Sequence, residues 1–80
     1  MERDRIQELI EYVAKSLVDE PDQVRVTKVS GAHSTIYELR VAADDMGRVI
    51  GKKGRVANAM RTLLRVAATR EGRRAILEIV

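Results

Sequence analysis

Two glycines flanking two lysines, Gly51-Lys52-Lys53-Gly54, are the residues of this chain best suited to chemistry, and that chemistry is the holding of an anion. Glycine has no Cβ, so a chain with one on each side of a pair can turn sharply and let another backbone come within contact distance. Lys52 and Lys53 fall at the tip of that turn, where a side chain cannot enter a core and an ammonium group is free to meet phosphate oxygens. Arg55 opens the segment that follows. If that segment is helical, its first turn offers unpaired N–H groups at the positive end of the helix dipole. A bare G-x-x-G is a weak signal, because the same spacing makes an ordinary turn between two helices. The spacing also lacks the G-x-x-x-x-G-K-[ST] of a nucleotide-binding loop, so no triphosphate site is implied.

The other candidates for chemistry are poorer. His33 is the single histidine, cysteine is absent, and His33 stands in a predicted turn with no carboxylate predicted beside it. It reads as a loop residue, and an enzyme is not expected. Asp44-Asp45 could be called a carboxylate pair, but adjacent acids just before a helix are usually its cap. No metal site and no cofactor are expected.

The elements that position the loop follow from periodicity. From Glu2 to about Val18 the residues Ile6, Leu9, Ile10, Val13 and Leu17 form one helical stripe, ended by Asp19-Glu20-Pro21-Asp22. Val24 to Val29 alternates as a strand. Ser30 to Ser34 is a turn, and Thr35 to Ala42 is a second strand with Tyr37, Leu39 and Val41 on one face and Glu38 and Arg40 on the other. Asp44-Asp45 caps a short helix from Met46 that ends at Gly51. A longer helix from Arg55 has Val56, Met60, Leu63, Leu64 and Ala67 as its predicted buried stripe and stops between Thr69 and Gly72. Arg73 to Val80 then reads as a short apolar strand. A strand that follows a helix can join its predecessor in parallel through a right-handed crossover. The expected architecture is α+β, in the order α-β-β-α-α-β, with a three-stranded mixed sheet and helices packed on one face.

Charge is distributed unevenly along this framework. Residues 1–45 carry six Lys/Arg against ten Asp/Glu, a balance of −4, whereas residues 46–80 carry nine against two, a balance of +7. A basic half beside an acidic remainder suits a polyanion-binding surface, although a solvated basic helix face has the same composition. Eighty residues allow one domain, 1–80. No apolar run approaches the roughly 20 residues of a membrane span, which predicts a soluble, cytoplasmic protein.

Within this order of elements, Val49-Ile50-Gly51-Lys52-Lys53-Gly54-Arg55 resembles the signature of the KH domain, an apolar pair followed by G-x-x-G between two helices. The helix and strand placed N-terminally are similar to the type II, prokaryotic arrangement. With MGRVIGKKGRVANAMRTLL and the ending ILEIV, essentially the whole chain resembles the bacterial KhpA family of small RNA-binding proteins. The resemblance implies a groove that clamps about four nucleotides of single-stranded RNA or DNA. Backbone contacts would fall to Gly51, Lys52, Lys53, Gly54 and Arg55, and an aliphatic floor to Val49, Ile50, Val56 and Ile76, with Arg48 and Arg73 at the flanks. The chain departs from the family at Ala57 and Met60, where large aliphatics are common, and this bears on groove depth. The resemblance further implies a post-transcriptional regulator or RNA chaperone linked to cell shape and division. It also implies pairing with itself or with a second KH-containing protein of the KhpB kind, for which the small side chains near Ala57, Met60 and Arg61 suggest a helix contact.

Phe and Trp are absent, and the two tyrosines, Tyr12 and Tyr37, fall on segments whose partners look like core. Stacking platforms of the RRM or OB type need aromatics on the binding face, so affinity is expected from phosphate neutralisation and aliphatic contact. The alternatives are a KH-fold protein-interaction or dimerisation module with little RNA binding and a duplex-DNA reader. Lys52 and Lys53 weigh against the first, and the spread of Arg55, Arg61, Arg65 and Arg70 around their helix weighs against the second.

Overall fold

Asp4 starts the first helix: its Oδ1 accepts from the amides of Ile6 at 2.9 Å and Gln7 at 3.3 Å, satisfying donors that have no partner inside the helix. The computed structural model describes residues 4–80, so the predicted start at Glu2 lies outside the described residues. Helix α1 spans Arg5–Leu17, strand β1 Arg25–Ser30, strand β2 Thr35–Arg40, helix α2 Met46–Ile50, helix α3 Arg55–Arg70 and strand β3 Ala75–Ile79. This is the expected α-β-β-α-α-β order. No helix among the described residues is long and apolar enough to cross a membrane.

The sheet runs β1-β2-β3. β1 and β2 are antiparallel from Arg25↔Arg40 to Ser30↔Thr35, and β2 and β3 are parallel from Thr35↔Ala75 to Leu39↔Ile79. Tyr37, Leu39 and Leu77 point from the sheet into the helical layer and are buried there with Ile6, Ile10 and Ala14 of α1 and Leu64 of α3. Arg40 lies exposed on the outer face expected for it, with Arg25 and Thr27 of β1 exposed as well. Each outer strand lends one carbonyl to a helix side chain. Gln7 Nε2 donates to Val26 O at 3.2 Å on β1, and Arg61 Nε donates to Leu77 O at 3.4 Å on β3.

Three local expectations are corrected. The buried stripe of α3 is Ala57, Met60, Leu64 and Ala68, while Leu63 stands 52% exposed. It lies about 60° around the helix from the predicted stripe. The small side chains of Ala57 and Ala68 let the helix approach the sheet closely, and the size of Leu63 points attention to the wrong face. Burial of Ala57 and Met60 also removes them from the predicted contact between chains. Tyr12, expected among core residues, is 73% exposed on α1.

The third correction concerns Asp45. It occupies the position before α2 but makes no capping bond there. Its carboxylate turns inward instead, 2% exposed, and accepts from the amides of Asp19 and Glu20, both at 3.1 Å, with Arg48 Nε at 3.5 Å. It ties the chain leaving α1 to the start of α2, the helix that leads into the loop. Asp45→Ala leaves two part-buried amides without their acceptor and is expected to cost about 1–3 kcal/mol. Asp45→Asn keeps one acceptor and should cost about half as much. Urea midpoints with unchanged slopes check this, and equal midpoints for wild type and Asp45→Ala would show that the staple contributes nothing.

Candidate nucleic-acid interface

The loop is built by backbone conformation. α2 ends at Gly51, whose N–H donates to Gly47 O at 2.8 Å while its own φ/ψ is 77°/170°. A single tight turn, Lys52–Gly54, follows and is closed by Gly54 N–H donating to Gly51 O at 3.1 Å. The two glycines do different work. A Cβ at Gly51 would stand 2.5 Å from Val56 Cγ2 and 2.8 Å from Val56 N, so only glycine lets α2 meet the start of α3. At Gly54 the nearest neighbour of such a Cβ is Asn58 Nδ2 at 3.7 Å, and what needs glycine there is the left-handed conformation, φ 76° and ψ 14°. Lys53, between them, also adopts φ 58° and ψ 24°, which side chains other than glycine, Asn and Asp rarely occupy. A strained non-glycine residue at a loop tip is a common mark of a functional segment.

Among the described residues no side chain caps α3; the Arg55 amide donates to Lys52 O, and the amides that follow it open toward the loop with no side-chain oxygen on them. Lys52, Lys53 and Arg55 are exposed beside them, and none has a carboxylate partner among the described residues. The expected loop residues Gly51, Lys52, Lys53, Gly54 and Arg55 are therefore together, with Ile50, 38% exposed, and half-buried Val56 beside them. Val49 is completely buried and supports this ground from beneath. Ile76 lines a separate cleft further along α3.

The two flanking arginines are engaged elsewhere. Arg48 Nη2 lies 2.9 Å from Asp19 Oδ2 and its Nε 3.5 Å from Asp45, which turns it toward the end of α1. Arg73 Nη2 lies 3.0 Å from Asp4 Oδ1, its Nε 3.2 Å from Glu71, and its guanidinium 5.8 Å from the centre of the Tyr37 ring. Asp4 also accepts from Tyr37 Oη at 2.6 Å and pairs with Lys28 Nζ at 2.8 Å. Burial pushes the Asp4 carboxyl up, but Lys28, Tyr37 and the amides of Gln7 and Ile6 outweigh it and hold the group well below the usual carboxylate range. For Tyr37, burial and the Asp4 carboxylate act in the same direction and push the phenol up to about 12. Periodicity could not find this hub, because its members come from α1, β1, β2 and the segment after α3. Arg65 and Arg74, which line the same cleft as Ile76, also escaped the sequence-based site. The signal that marks that region is the absence of any Asp or Glu from residue 46 to residue 70.

A three-stranded mixed sheet in this order, with a glycine-bounded loop between its last two helices, defines a type II KH domain. The chain belongs to the KhpA/KhpB KH-domain family, whose model matches residues 7–79. It is 52% identical over 75 residues to the RNA-binding protein KhpA of Clostridium acetobutylicum, covering 94% of this chain and 100% of that protein. It is 53% identical over 73 residues to the KhpA of Caldanaerobacter subterraneus subsp. tengcongensis, covering 91% and 97%. Both relatives are named as RNA-binding proteins. Among solved structures, a crystal structure of Aquifex aeolicus Era bound to GDP and AlF4− matches with a TM-score of 0.64 at 22% identity, over 94% of this chain and 29% of that one. Era in complex with MgGDPNP and nucleotides 1506–1542 of 16S ribosomal RNA matches with a TM-score of 0.63 at 22% identity, over 92% and 28%. At that identity the likeness is one of fold, and this chain spans under a third of Era.

Proposed function

We propose that the protein binds single-stranded RNA, taking the sugar-phosphate backbone on the Gly51–Gly54 loop and bases on the aliphatic ground at Ile50 and Val56. The observation that carries this is the loop itself: two glycines and a left-handed Lys53 expose backbone beside amides without a side-chain cap and three cations with no carboxylate partner among the described residues. The RNA-binding names of relatives at about half identity support the same ligand. Backbone recognition explains an affinity without aromatics, since phosphate contacts carry charge and not sequence. Arg48 and Val49 then act by shaping the loop's approach. On this reading the protein works in the cytoplasm after transcription, as a regulator or RNA chaperone with effects on cell shape and division.

A different observation favours pairing as a second property: Tyr12, Leu63 and Val66 are large side chains standing 73%, 52% and 48% exposed. Pairing with a like chain or with a KhpB-type chain would cover such residues.

The test of RNA binding is a titration of labelled oligouridylate into wild type and Lys52→Asp/Lys53→Asp at two salt concentrations. Both lysines are exposed, so the variant should keep its circular dichroism and melting temperature. Two lost phosphate contacts should flatten the log–log salt slope by about 1.4 and weaken binding at low salt at least about tenfold. An unchanged slope and affinity would remove the loop from the binding site.

A further inference from the structure

Asp45 is the one charged side chain buried among the described residues, and it stands immediately ahead of the helix that leads into the loop. Its two oxygens are used separately, Oδ1 by the Asp19 amide and Oδ2 by the Glu20 amide, both at 3.1 Å. Its own amide donates to Ala42 O at 2.9 Å. Arg48 Nε, 3.5 Å from Oδ1, carries the same carboxylate one turn further into α2. Two adjacent amides on two oxygens hold the plane of a carboxylate, whereas a single bond leaves a pivot. A helix of five residues such as α2 has no stability of its own and lies where its ends are held. Val49, completely buried, fixes which side of α2 faces inward. At the far end Gly51 stops against Val56, which limits how near α2 comes to α3 and not the direction from which it arrives. That direction is set at Asp45, where the chain from β2 turns into α2 against the segment leaving α1.

We infer that Asp45 is a positioning residue for RNA binding, which aims the Gly51–Gly54 loop by fixing α2 to the exit of α1. Since Asp45 acts through the loop, this role rests on the RNA binding proposed there. Gly51 lies six residues beyond Asp45. That is about 9 Å along a helix, so a turn of about 10° at Asp45 carries Gly51 about 1.5 Å sideways. Binding groups must be held within about 0.5 Å of their productive places, so a shift of that size takes loop amides off their phosphates. Asp45→Asn retains one acceptor but sets a side-chain N–H against the other backbone N–H, which restores the pivot. Asp45→Ala removes both holds.

Binding by fully folded protein separates this role from a contribution to stability alone. Wild type, Asp45→Asn, Asp45→Ala, Lys52→Asp/Lys53→Asp and Ile10→Val would be titrated with labelled oligouridylate at two salt concentrations, at a temperature where melts show every protein folded. Ile10 is a core residue of α1, and its trimming costs stability of the same order as Asp45→Asn. Asp45→Ala is expected to bind about tenfold more weakly than wild type, with a log–log salt slope flatter by about 0.7, the loss of one phosphate contact. Asp45→Asn should fall between the two, and Ile10→Val should bind as wild type does. Without RNA, the amide resonances of Gly51 and Gly54 should move in both Asp45 variants and stay in place in Ile10→Val. Wild-type affinity and slope in both Asp45 variants, an equal loss in Ile10→Val, or unmoved glycine resonances would each overturn the positioning role. The lysine variant reads the loop function by itself: wild-type binding there overturns RNA recognition by the loop, and Asp45's part in binding with it, whatever the resonances show.

Discussion

Gly51→Ala is expected to cost the protein about 2–5 kcal/mol of stability, while Gly54→Ala, three residues away, costs about 1–2 kcal/mol. The two positions look alike in sequence and share a positive φ, but only one faces an obstacle. At Gly51 a methyl group would meet Val56 Cγ2 at 2.5 Å, Val56 N at 2.8 Å and Val56 Cβ at 2.9 Å, and the φ/ψ of 77°/170° is a region that glycine alone occupies readily. Trimming the neighbour does not help: in Gly51→Ala/Val56→Ala the backbone nitrogen and Cβ of residue 56 remain in place, so the double variant should be no more stable than Gly51→Ala. A domain this small has total stability of the order of 5–15 kcal/mol, so the loss is a large part of the whole. Urea denaturation of the four proteins measures it. Similar midpoints for Gly51→Ala and Gly54→Ala would show that the close approach of α2 to Val56 does not constrain the loop.

The second large effect is at Asp4. Its side chain is 9% exposed and is met by Lys28, Arg73, Tyr37 and two helix amides. Asn at this position keeps the shape and the helix cap but removes the charge, taking from Lys28 its carboxylate partner and leaving Arg73 with Glu71 alone. The expected cost at neutral pH is about 2–4 kcal/mol. The pH dependence follows from the two shifted groups. Because the Asp4 carboxyl titrates lower in the folded state than in the unfolded one, its contribution is complete above about pH 4 and is lost as pH falls further. That part of the acid loss should be missing from Asp4→Asn. Tyr37 titrates at about 12 when folded against an ordinary value of 10.0, so its contribution is complete below pH 10 and is lost as pH rises toward 12. Tyr37→Phe should lack that alkaline loss. Thermal melts across pH check both signs, and parallel acid profiles for wild type and Asp4→Asn would contradict the assignment.

The loop and the order of elements were legible in the sequence because both are local. Glycine spacing, lysines at a tip and alternation in Thr35–Ala42 each depend on neighbours a few positions away. The phase of α3 was not, because hydrophobicity favours Leu63 over Ala57 and Ala68, whereas close packing of a helix on a sheet favours the small residues. Asp45 shows the same limit for polar groups. Its place before α2 suggests a cap, and only the folded chain shows the amides of Asp19 and Glu20 lying within reach. The pairing of Arg48 and Arg73 with acids was hidden for the same reason, since Asp19 and Asp4 are 29 and 69 positions away.

The two side chains resting on the outer strands have a consequence for solubility. An open sheet edge is a row of unsatisfied amides and carbonyls on which a strand from another molecule can grow. On β1 the row is interrupted at Val26 O by Gln7, near the start of the strand, and on β3 at Leu77 O by Arg61, at its middle. An incoming strand would have to displace a helix side chain to complete its ladder on either edge. A three-stranded sheet plugged in this way on each outer strand is a poorer template for its own aggregation.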